Sequence, residues 1–203
     1  MEVKMKDRFS EKRVEKQAAE IDIDRTALLV VDMLNDFFEE GGAMVLPGGK
    51  SLYRPIATLL EAARVKKIPV FWLNQWLRKD DSLFKKRVPH CIVNSWGAEI
   101  VDSLPQHPED IIIHKRRYSG FFQTSLDLYL RERNIKHVIV TGVVTNICVR
   151  STVNDAFFLG YEVIVPRDCV EATSPEHQET HLYDINTHYG SVLVLEEVLG
   201  LLK

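Results

Sequence analysis

The chain has 203 residues, of which 26 are basic and 29 acidic, so its net charge is −3 at neutral pH. This length suits one well-cored domain, and the absence of a basic block in the sequence argues against nucleic-acid binding. No apolar run has transmembrane length, and residues 1–24 carry no signal-peptide core, so no membrane partner is expected. Three cysteines, Cys91, Cys148 and Cys169, are a sparse and odd set that favours a reducing, cytoplasmic location.

Residues 1–24 are highly charged and predict an N-terminal arm that frays or packs on a neighbour, with a possible polar helix over 13–20. The single domain is expected over 25–203. Its first strand is the apolar run 27–31, which ends at Asp32. The connection 33–49 is long and rich in glycine, which indicates a functional loop.

A helix, a strand and a long loop are predicted next. The helix carries an apolar stripe made by Leu52, Ile56, Leu59, Leu60 and Ala63. The second strand covers 68–74, with Pro69 at its entry where no ladder donor is lost. Residues 75–97 form an irregular stretch, 98–104 a short helix, and 110–114 the third strand, which is followed by Lys115.

The second half of the chain alternates strands with helices. Strands are predicted at 137–140, 161–165 and 192–195, and a helix begins at Ser174, a serine cap before proline. Between the first two strands lies a turn followed by a helix that carries Cys148 near its start. Alternation throughout predicts a six-stranded parallel sheet between two helix layers, a Rossmann-like three-layer α-β-α sandwich.

Three reactive side chains follow strands of this sheet: Asp32, Lys115 and Cys148. Active sites of open α/β sheets lie at the carboxyl ends of strands, so these groups are expected to converge. Cys148 is the expected nucleophile, its thiolate favoured by the helix start and by Lys115, and Asp32 is the expected proton relay. Each residue alone has a structural explanation: a buried thiol, a turn cap or a solvated charge.

Several ordered motifs of this chain resemble those of the isochorismatase-like cysteine hydrolases, which include nicotinamidases, N-carbamoylsarcosine amidases and ureidoacrylate amidohydrolases. The resemblance covers about residues 25–198. Its motifs are LVVDMLNDF at 29–37, IHK at 113–115 and TGVVTNICV at 141–149. The family's fold is a six-stranded parallel sheet between helices, in agreement with the fold predicted from the strand pattern.

The resemblance implies that Asp32, Lys115 and Cys148 form an Asp-Lys-Cys triad. It also implies a cis peptide bond between Val143 and Val144, with the backbone N–H groups of Val144 and Cys148 forming an oxyanion hole. No cofactor is implied. Several members of the family form homodimers or homotetramers, so a homo-oligomer is expected, with the N-terminal arm and the loop 75–96 as candidate intersubunit elements.

The presence of Cys148 favours hydrolysis of a C–N bond in a small amide or ureido compound, with a thioester intermediate and release of ammonia. Nicotinamidases carry a metal site built on an Asp-x-His motif after the second strand, whereas this chain has Asn-Gln-Trp at 74–76, so no metal is expected. The sequence around Cys148 is most similar to the ureidoacrylate and N-carbamoylsarcosine branch. Two alternatives stay open: a vinyl-ether hydrolase of the isochorismatase type, and a catalytically idle binding or assembly relative.

The substrate pocket is expected to be formed by loop residues at the same edge of the sheet. The candidates are Phe37, Phe38, Asn74, Trp76, Tyr118 and Phe122. A second possible site is the helical face with His177, His181 and His188. Because apolar side chains occupy the opposite side of that helix, these histidines are interpreted as a solvated face and not as metal ligands.

Overall fold

The computed structural model describes residues 19–203, and it places all strands of this part of the chain in one parallel sheet. Most of the predicted N-terminal arm, including nearly all of the helix expected over 13–20, lies outside the described residues. The strands are β1 Thr26–Val31, β2 Val70–Gln75, β3 Ile111–Lys115, β4 His137–Val143, β5 Glu162–Pro166, β6 Val170–Glu171 and β7 Ser191–Leu193. Their order is β3-β2-β1-β4-β5-β7, and β6 pairs with the end of β4.

Helices connect the strands and cover both faces of the sheet. They are α1 Asn35–Phe38, α2 Tyr53–Val65, α3 Leu126–Glu132, α4 Arg150–Phe158, α5 Pro175–Asp184 and α6 Leu195–Leu201. Two π-helical turns, Thr145–Val149 and Ile185–Tyr189, precede α4 and follow α5. No helix in residues 19–203 has the length and hydropathy needed to cross a membrane.

Strand β1 shows why a continuous apolar run becomes a central strand. Its side chains alternate between the two faces: Leu28 and Val30 join the core with α2 and α6, whereas Leu29 and Val31 join the core with α3 and α4. Both faces are therefore buried. Every residue of the strand is apolar except Thr26, and Thr26 is fully buried as well. The predicted α/β fold with helices on both sides of a parallel sheet is confirmed.

The structure differs from the predicted elements in several places, among them the strand expected over 192–195, which ends at Leu193 and is followed by α6 from Leu195. The sheet has a seventh strand, β6, whose two residues are too short to produce a periodic signal in the sequence. The helix expected over 98–104 is absent: a 3₁₀ turn at Trp96–Ala98 is followed by extended backbone, and Ile100 forms an antiparallel bridge with Leu34. This pairing with a distant segment outweighs the local helical preference.

The strand order places a topological switch point between β1 and β4. From β1 the chain proceeds outward through β2 to β3, and then returns to add β4 on the other side of β1. The connections that leave the carboxyl ends of β1 and β4 therefore diverge to opposite faces, which opens a crevice at that edge.

Candidate active site

The register of strands β1 to β4 brings the predicted triad to this crevice. In the ladders, Val31 pairs with Gly142 of β4, and Gln75 of β2 pairs with Lys115 of β3. Asp32 follows Val31 directly and has φ of 50°, a left-handed conformation that aspartate tolerates better than most residues. Its side chain thus lies within reach of β2 and β3.

Asp32 and Lys115 form a completely buried ion pair. Nζ of Lys115 donates to Oδ2 of Asp32 at 2.7 Å, and the two side chains are 0% and 1% exposed. The other carboxylate oxygen, Oδ1, accepts the backbone N–H of Gln75 at 2.8 Å. Burial by itself would lower the pKa of Lys115, but the carboxylate of Asp32, as a neighbouring charge and hydrogen-bond acceptor, raises that pKa. The ammonium is therefore held in its charged form.

Cys148 lies beside this ion pair, in the π-helical turn that joins β4 to α4. Its side chain is almost fully buried, and it lines the same cavity as Asp32. Burial raises the pKa of the Cys148 thiol, the ammonium of Lys115 acts to lower it, and the carboxylate of Asp32 raises it further. The net shift is upward, so burial opposes the thiolate that the helix start and Lys115 are expected to favour.

The turn before Cys148 has unusual backbone geometry. Gly142 has φ of 98°, and a Cβ atom there would overlap the carbonyl oxygen of Val31 on the neighbouring strand, so only glycine fits. The peptide bond between Val143 and Val144 is cis. After the turn, Oγ1 of Thr152 donates to the carbonyl oxygen of Cys148 at 2.8 Å.

A small cavity of about 40 Å³ adjoins the triad. Its floor is formed by strand ends and the turn after β4: Asp32, Gln75, Val143, Val144, Ile147 and Cys148. Its remaining walls come from three loops, which contribute Phe37, Met44, Leu83, Arg87, His90 and Tyr118. A liquid water occupies about 30 Å³, and sites for small molecules are roughly ten times larger than this cavity. Binding of a substrate therefore requires the loop side chains to move outward.

Two of the six pocket candidates, Phe37 and Tyr118, line this cavity. The loop that carries Tyr118 is joined to α4, because the backbone N–H of Gly120 donates to Oγ1 of Thr152 at 3.0 Å. Thr152 also contacts the carbonyl of Cys148, so one hydroxyl connects the pocket wall to the turn with the thiol.

The structure does not place the other four candidates on the cavity. Phe38 is 1% exposed and belongs to the core, because α1 turns it away from its neighbour Phe37. Trp76 stacks on His114, with the ring centroids 4.2 Å apart. Phe122 is half exposed on the surface.

Asn74 is the fourth candidate away from the cavity. It precedes Gln75 on β2, and successive side chains of a strand point to opposite faces, so only Gln75 faces the triad. Gln75 could have been identified by counting that alternation from the strand end. The other lining residues missed by the sequence interpretation gave no such signal: Met44, Leu83, Arg87 and His90 in the loops and Ile147 in the π-helical turn.

Two buried carboxylates position the loops that form the walls. Asp36 accepts the backbone N–H of Ala43 at 2.9 Å and that of Cys91 at 2.5 Å, which joins the loop after β1 to the loop after β2. Asp81 caps the turn Ser82–Lys85 through the N–H of Leu83. It also pairs with the guanidinium groups of Arg116 and Arg117, at 3.4 and 3.3 Å, just beyond the end of β3.

No cluster of three or more histidine, cysteine or acidic side chains within residues 19–203 has the geometry to hold a metal ion. The Asn-Gln-Trp segment at 74–76 provides neither a carboxylate nor an imidazole at the position of the Asp-x-His motif. On α5, Nδ1 of His177 contacts the hydroxyl of Thr173 at 2.9 Å, and His181 lies 3.4 Å from Arg150. A neighbouring guanidinium disfavours a cation at His181, although the carboxylate of Asp184 lies 3.8 Å from its Nδ1.

Comparisons with known proteins show the family and the fold. The protein-family model of the isochorismatase domain matches residues 26–197 of this chain. An isochorismatase-like hydrolase from Alkaliphilus metalliredigens is 34% identical, with a TM-score of 0.84, and the match covers 88% of this chain and 100% of that one.

Two further solved structures have amidase names. The N-carbamoylsarcosine amidase from Thermoplasma acidophilum is 30% identical over 85% of this chain and 97% of its own, with a TM-score of 0.78. The pyrazinamidase of Pyrococcus horikoshii, solved in complex with zinc, is 30% identical over 84% of this chain and 99% of its own, with a TM-score of 0.79. From the matched domain and these likenesses, we conclude that the chain belongs to the isochorismatase family of hydrolases.

Proposed function

We propose that the protein is a cysteine hydrolase that cleaves the C–N bond of a small amide or of a ureido or carbamoyl compound. The observation that carries this proposal is the buried Asp32–Lys115 ion pair, 2.7 Å long, with Cys148 on the same cavity as Asp32. Such an arrangement supplies a nucleophile, a base next to it and a fixed positive charge in a site from which water is largely excluded.

In the first half-reaction the thiol is deprotonated as it attacks. Because the pKa of Cys148 is raised by burial, the proton moves to the carboxylate of Asp32 while Sγ bonds to the substrate carbonyl carbon. The resulting oxyanion accepts hydrogen bonds from the backbone N–H groups of Val144 and Cys148. When it collapses, the C–N bond breaks, the nitrogen takes the proton from Asp32, and ammonia leaves a thioester on Cys148.

In the second half-reaction a water molecule replaces the leaving nitrogen. Asp32 takes a proton from this water as its oxygen attacks the thioester carbon, and collapse of the intermediate releases the sulfur. The proton on Asp32 returns to Cys148, so the enzyme regains its resting state. A carboxylic acid is released from an amide, and a carbamoyl group yields carbon dioxide and ammonia. Lys115 stays charged throughout and offsets the negative charge on the sulfur and the carboxylate.

The names of the relatives support the amide class, since they include an N-carbamoylsarcosine amidase and a pyrazinamidase. A vinyl-ether hydrolase of the isochorismatase type has no need of a thiol nucleophile, which favours amide hydrolysis over that alternative. The proposed reaction uses no metal, because the donor sets of the described residues do not fit one.

The test is ammonia release from a panel of primary amides, N-carbamoyl amino acids and ureido acids, with isochorismate included and pyruvate measured beside ammonia. Cys148→Ala is expected to lower kcat/KM by at least about 10⁴-fold, since it removes the nucleophile. Cys169→Ala is the matched control: it removes a thiol that is equally buried but lies outside the cavity, and it should retain turnover.

Full turnover in the Cys148→Ala protein would overturn nucleophilic catalysis. Pyruvate without ammonia would establish the ether hydrolase instead. Addition of EDTA is expected to leave ammonia release unchanged, whereas loss of activity that zinc restores would contradict the metal-free reaction.

A further inference from the structure

Gln75 and His90 form a buried hydrogen-bonded pair on the wall of the cavity. Oε1 of Gln75 lies 3.3 Å from Nε2 of His90, and Nδ1 of His90 lies 2.7 Å from the carbonyl oxygen of Val88. The two side chains line the same cavity as Asp32 and are 1% and 5% exposed. The other end of the Gln75 amide has no hydrogen-bond partner among residues 19–203. A buried amide end next to reactive groups and without a protein partner indicates a contact with the substrate.

The contacts of His90 determine where its proton lies. The carbonyl oxygen of Val88 can only accept a hydrogen bond, so Nδ1 carries a proton. The ring packs edge-on against Phe37 and Phe84, with centroids 5.7 and 5.8 Å apart. No carboxylate of the described chain lies within 4 Å ion-pair distance of it. The neutral tautomer with its proton on Nδ1 has Nε2 as the acceptor of the ring.

An acceptor at Nε2 of His90 requires a donor from Gln75. The oxygen and nitrogen ends of a glutamine amide have the same shape and exchange by a half-turn about the last side-chain bond, so the hydrogen-bond network decides between them. With neutral His90, the NH₂ group of Gln75 faces the imidazole and its carbonyl oxygen faces the cavity.

We infer that this carbonyl oxygen of Gln75 accepts a hydrogen bond from the substrate's –NH₂ group, the group that leaves as ammonia. This inference rests on the proposed function. Gln75 is suited to this contact because its backbone N–H donates to Oδ1 of Asp32 at 2.8 Å, so its side chain begins next to the proton donor. His90 does not contact the reacting atoms and is a positioning residue for Gln75.

The contact has a chemical purpose in the collapse of the tetrahedral intermediate. The departing nitrogen has two N–H bonds and one lone pair, and the lone pair must face the proton held by Asp32. A hydrogen bond from one N–H to Gln75 turns the lone pair toward that proton. The proton then bonds to nitrogen, the C–N electron pair goes to nitrogen, and ammonia departs. An ester oxygen has no N–H to offer, so the same contact selects amides over esters.

The orientation of Gln75 is tested first in the wild-type protein without substrate. Nitrogen-15 NMR of the imidazole at pH 7 is expected to show His90 protonated at Nδ1 alone, with a hydrogen bond at Nε2 from the side-chain NH₂ of Gln75. The signals of that NH₂ group should be absent from the Gln75→Met protein. Protonation of both ring nitrogens at pH 7 would overturn the inference, because Gln75 would then turn its NH₂ group toward the cavity.

The kinetic test compares the primary amide that releases ammonia fastest in the panel with the methyl ester of the same acid. Gln75→Met keeps the side-chain length and is expected to lower kcat/KM for the amide by about 10- to 100-fold, mainly through kcat, and for the ester by less than about threefold. His90→Phe keeps the ring packing and should lower the amide-to-ester ratio by about three- to tenfold.

His114→Phe is the control, since His114 lies on the edge strand outside the cavity, and it should leave the ratio unchanged. Equal losses for amide and ester in Gln75→Met would overturn the role of Gln75 while leaving the proposed function intact. Absence of ammonia release by the wild-type protein from every amide would overturn the proposed function and this role with it.

Discussion

The floor of the cavity and the loops that form its walls are held in different ways. The floor consists of the carboxyl ends of β1, β2 and β3 and the turn after β4. There the triad is positioned by the strand register and by the Asp32–Lys115 ion pair, whose side chains are 1% and 0% exposed. Two of the three wall loops, residues 33–52 and 76–97, depend on Asp36 and Asp81, which accept backbone N–H groups or pair with partly exposed arginines.

This difference separates chemistry from recognition. The floor is embedded in the sheet, where both faces are packed and a displaced strand would lose every ladder hydrogen bond. The wall loops contribute the side chains that must move outward from a cavity of about 40 Å³. A site built in this way keeps its reacting groups fixed while the loops admit the substrate, and the following predictions test that division.

The largest effects are expected at the ion pair of the floor. Asp32→Asn or Lys115→Met leaves one buried charge without its partner, so each single variant should lose about 3–5 kcal/mol of unfolding free energy. The double variant removes both charges and should recover most of that loss. All three proteins should lose at least about 10³-fold in kcat/KM, because general base catalysis alone contributes 10²–10⁴-fold.

Urea unfolding and ammonia release measure these two outcomes separately. If the double variant regained activity together with stability, the ion pair would be structural and the proposed proton transfer through Asp32 would be wrong.

A smaller effect is expected where a carboxylate joins the two wall loops. Asp36→Ala removes the acceptor for the N–H groups of Ala43 and Cys91, and each lost hydrogen bond to a charged group costs about 1.5–3 kcal/mol. Because these loops carry wall residues and none of the triad, KM should rise by about tenfold or more, with a smaller change in kcat. A loss confined to kcat would show that the loops position the reacting groups as well.

The protonation state of Cys148 gives a pH-dependent test of the floor. Because its pKa is raised, the folded protein holds the thiol proton more tightly than the unfolded chain, and this contribution to stability is lost as the pH rises. Alkylation of Cys148 by iodoacetamide should therefore keep increasing through about pH 10 and 11, where an ordinary thiol with a pKa of about 8.5 has already reached its plateau.

Mass spectrometry of the peptide that carries Cys148 measures this rate, and the Cys148→Ala protein provides the background. Cys169, whose pKa burial raises to about 12, is an internal comparison from outside the cavity. A plateau below pH 8 would mean that the resting enzyme holds a thiolate.

The smallest effect is expected at Asp81. Burial acts to raise the pKa of this carboxyl, but the N–H of Leu83 and the charges of Arg117 and Arg116 more than offset it, so the pKa is lowered. Asp81→Asn keeps the cap and removes the charge, and it should cost about 1 kcal/mol or less at pH 7, because both arginines are partly exposed.

The sign of the shift sets the pH range of this effect. Because the pKa of Asp81 is lowered in the folded protein, its negative charge stabilises the fold at pH values above the unfolded pKa of about 3.9. This contribution to stability is lost as the pH falls further. Urea midpoints of the wild-type and Asp81→Asn proteins should therefore converge below about pH 4. A difference that grows in acid would contradict the pairing of Asp81 with the two arginines.

Much of the floor could be predicted from the sequence, because it follows from periodicities of single segments. Apolar runs separated by helical stripes indicate a parallel sheet, and the carboxyl ends of its strands meet at one edge. That is why Asp32, Lys115 and Cys148 could be brought together although 83 residues separate the first two.

The walls and the electrostatics were decided by tertiary structure alone. Loop residues such as Arg87 and His90 have no periodic signal, and whether Phe37 or Phe38 faces the cavity depends on one short helical turn. The sequence could name the thiol, the carboxylate and the ammonium, but it could not predict their protonation. A helix start favours a thiolate, whereas burial and the carboxylate of Asp32 raise the pKa of Cys148. Sequence determined which groups meet; packing decided the charge each of them carries.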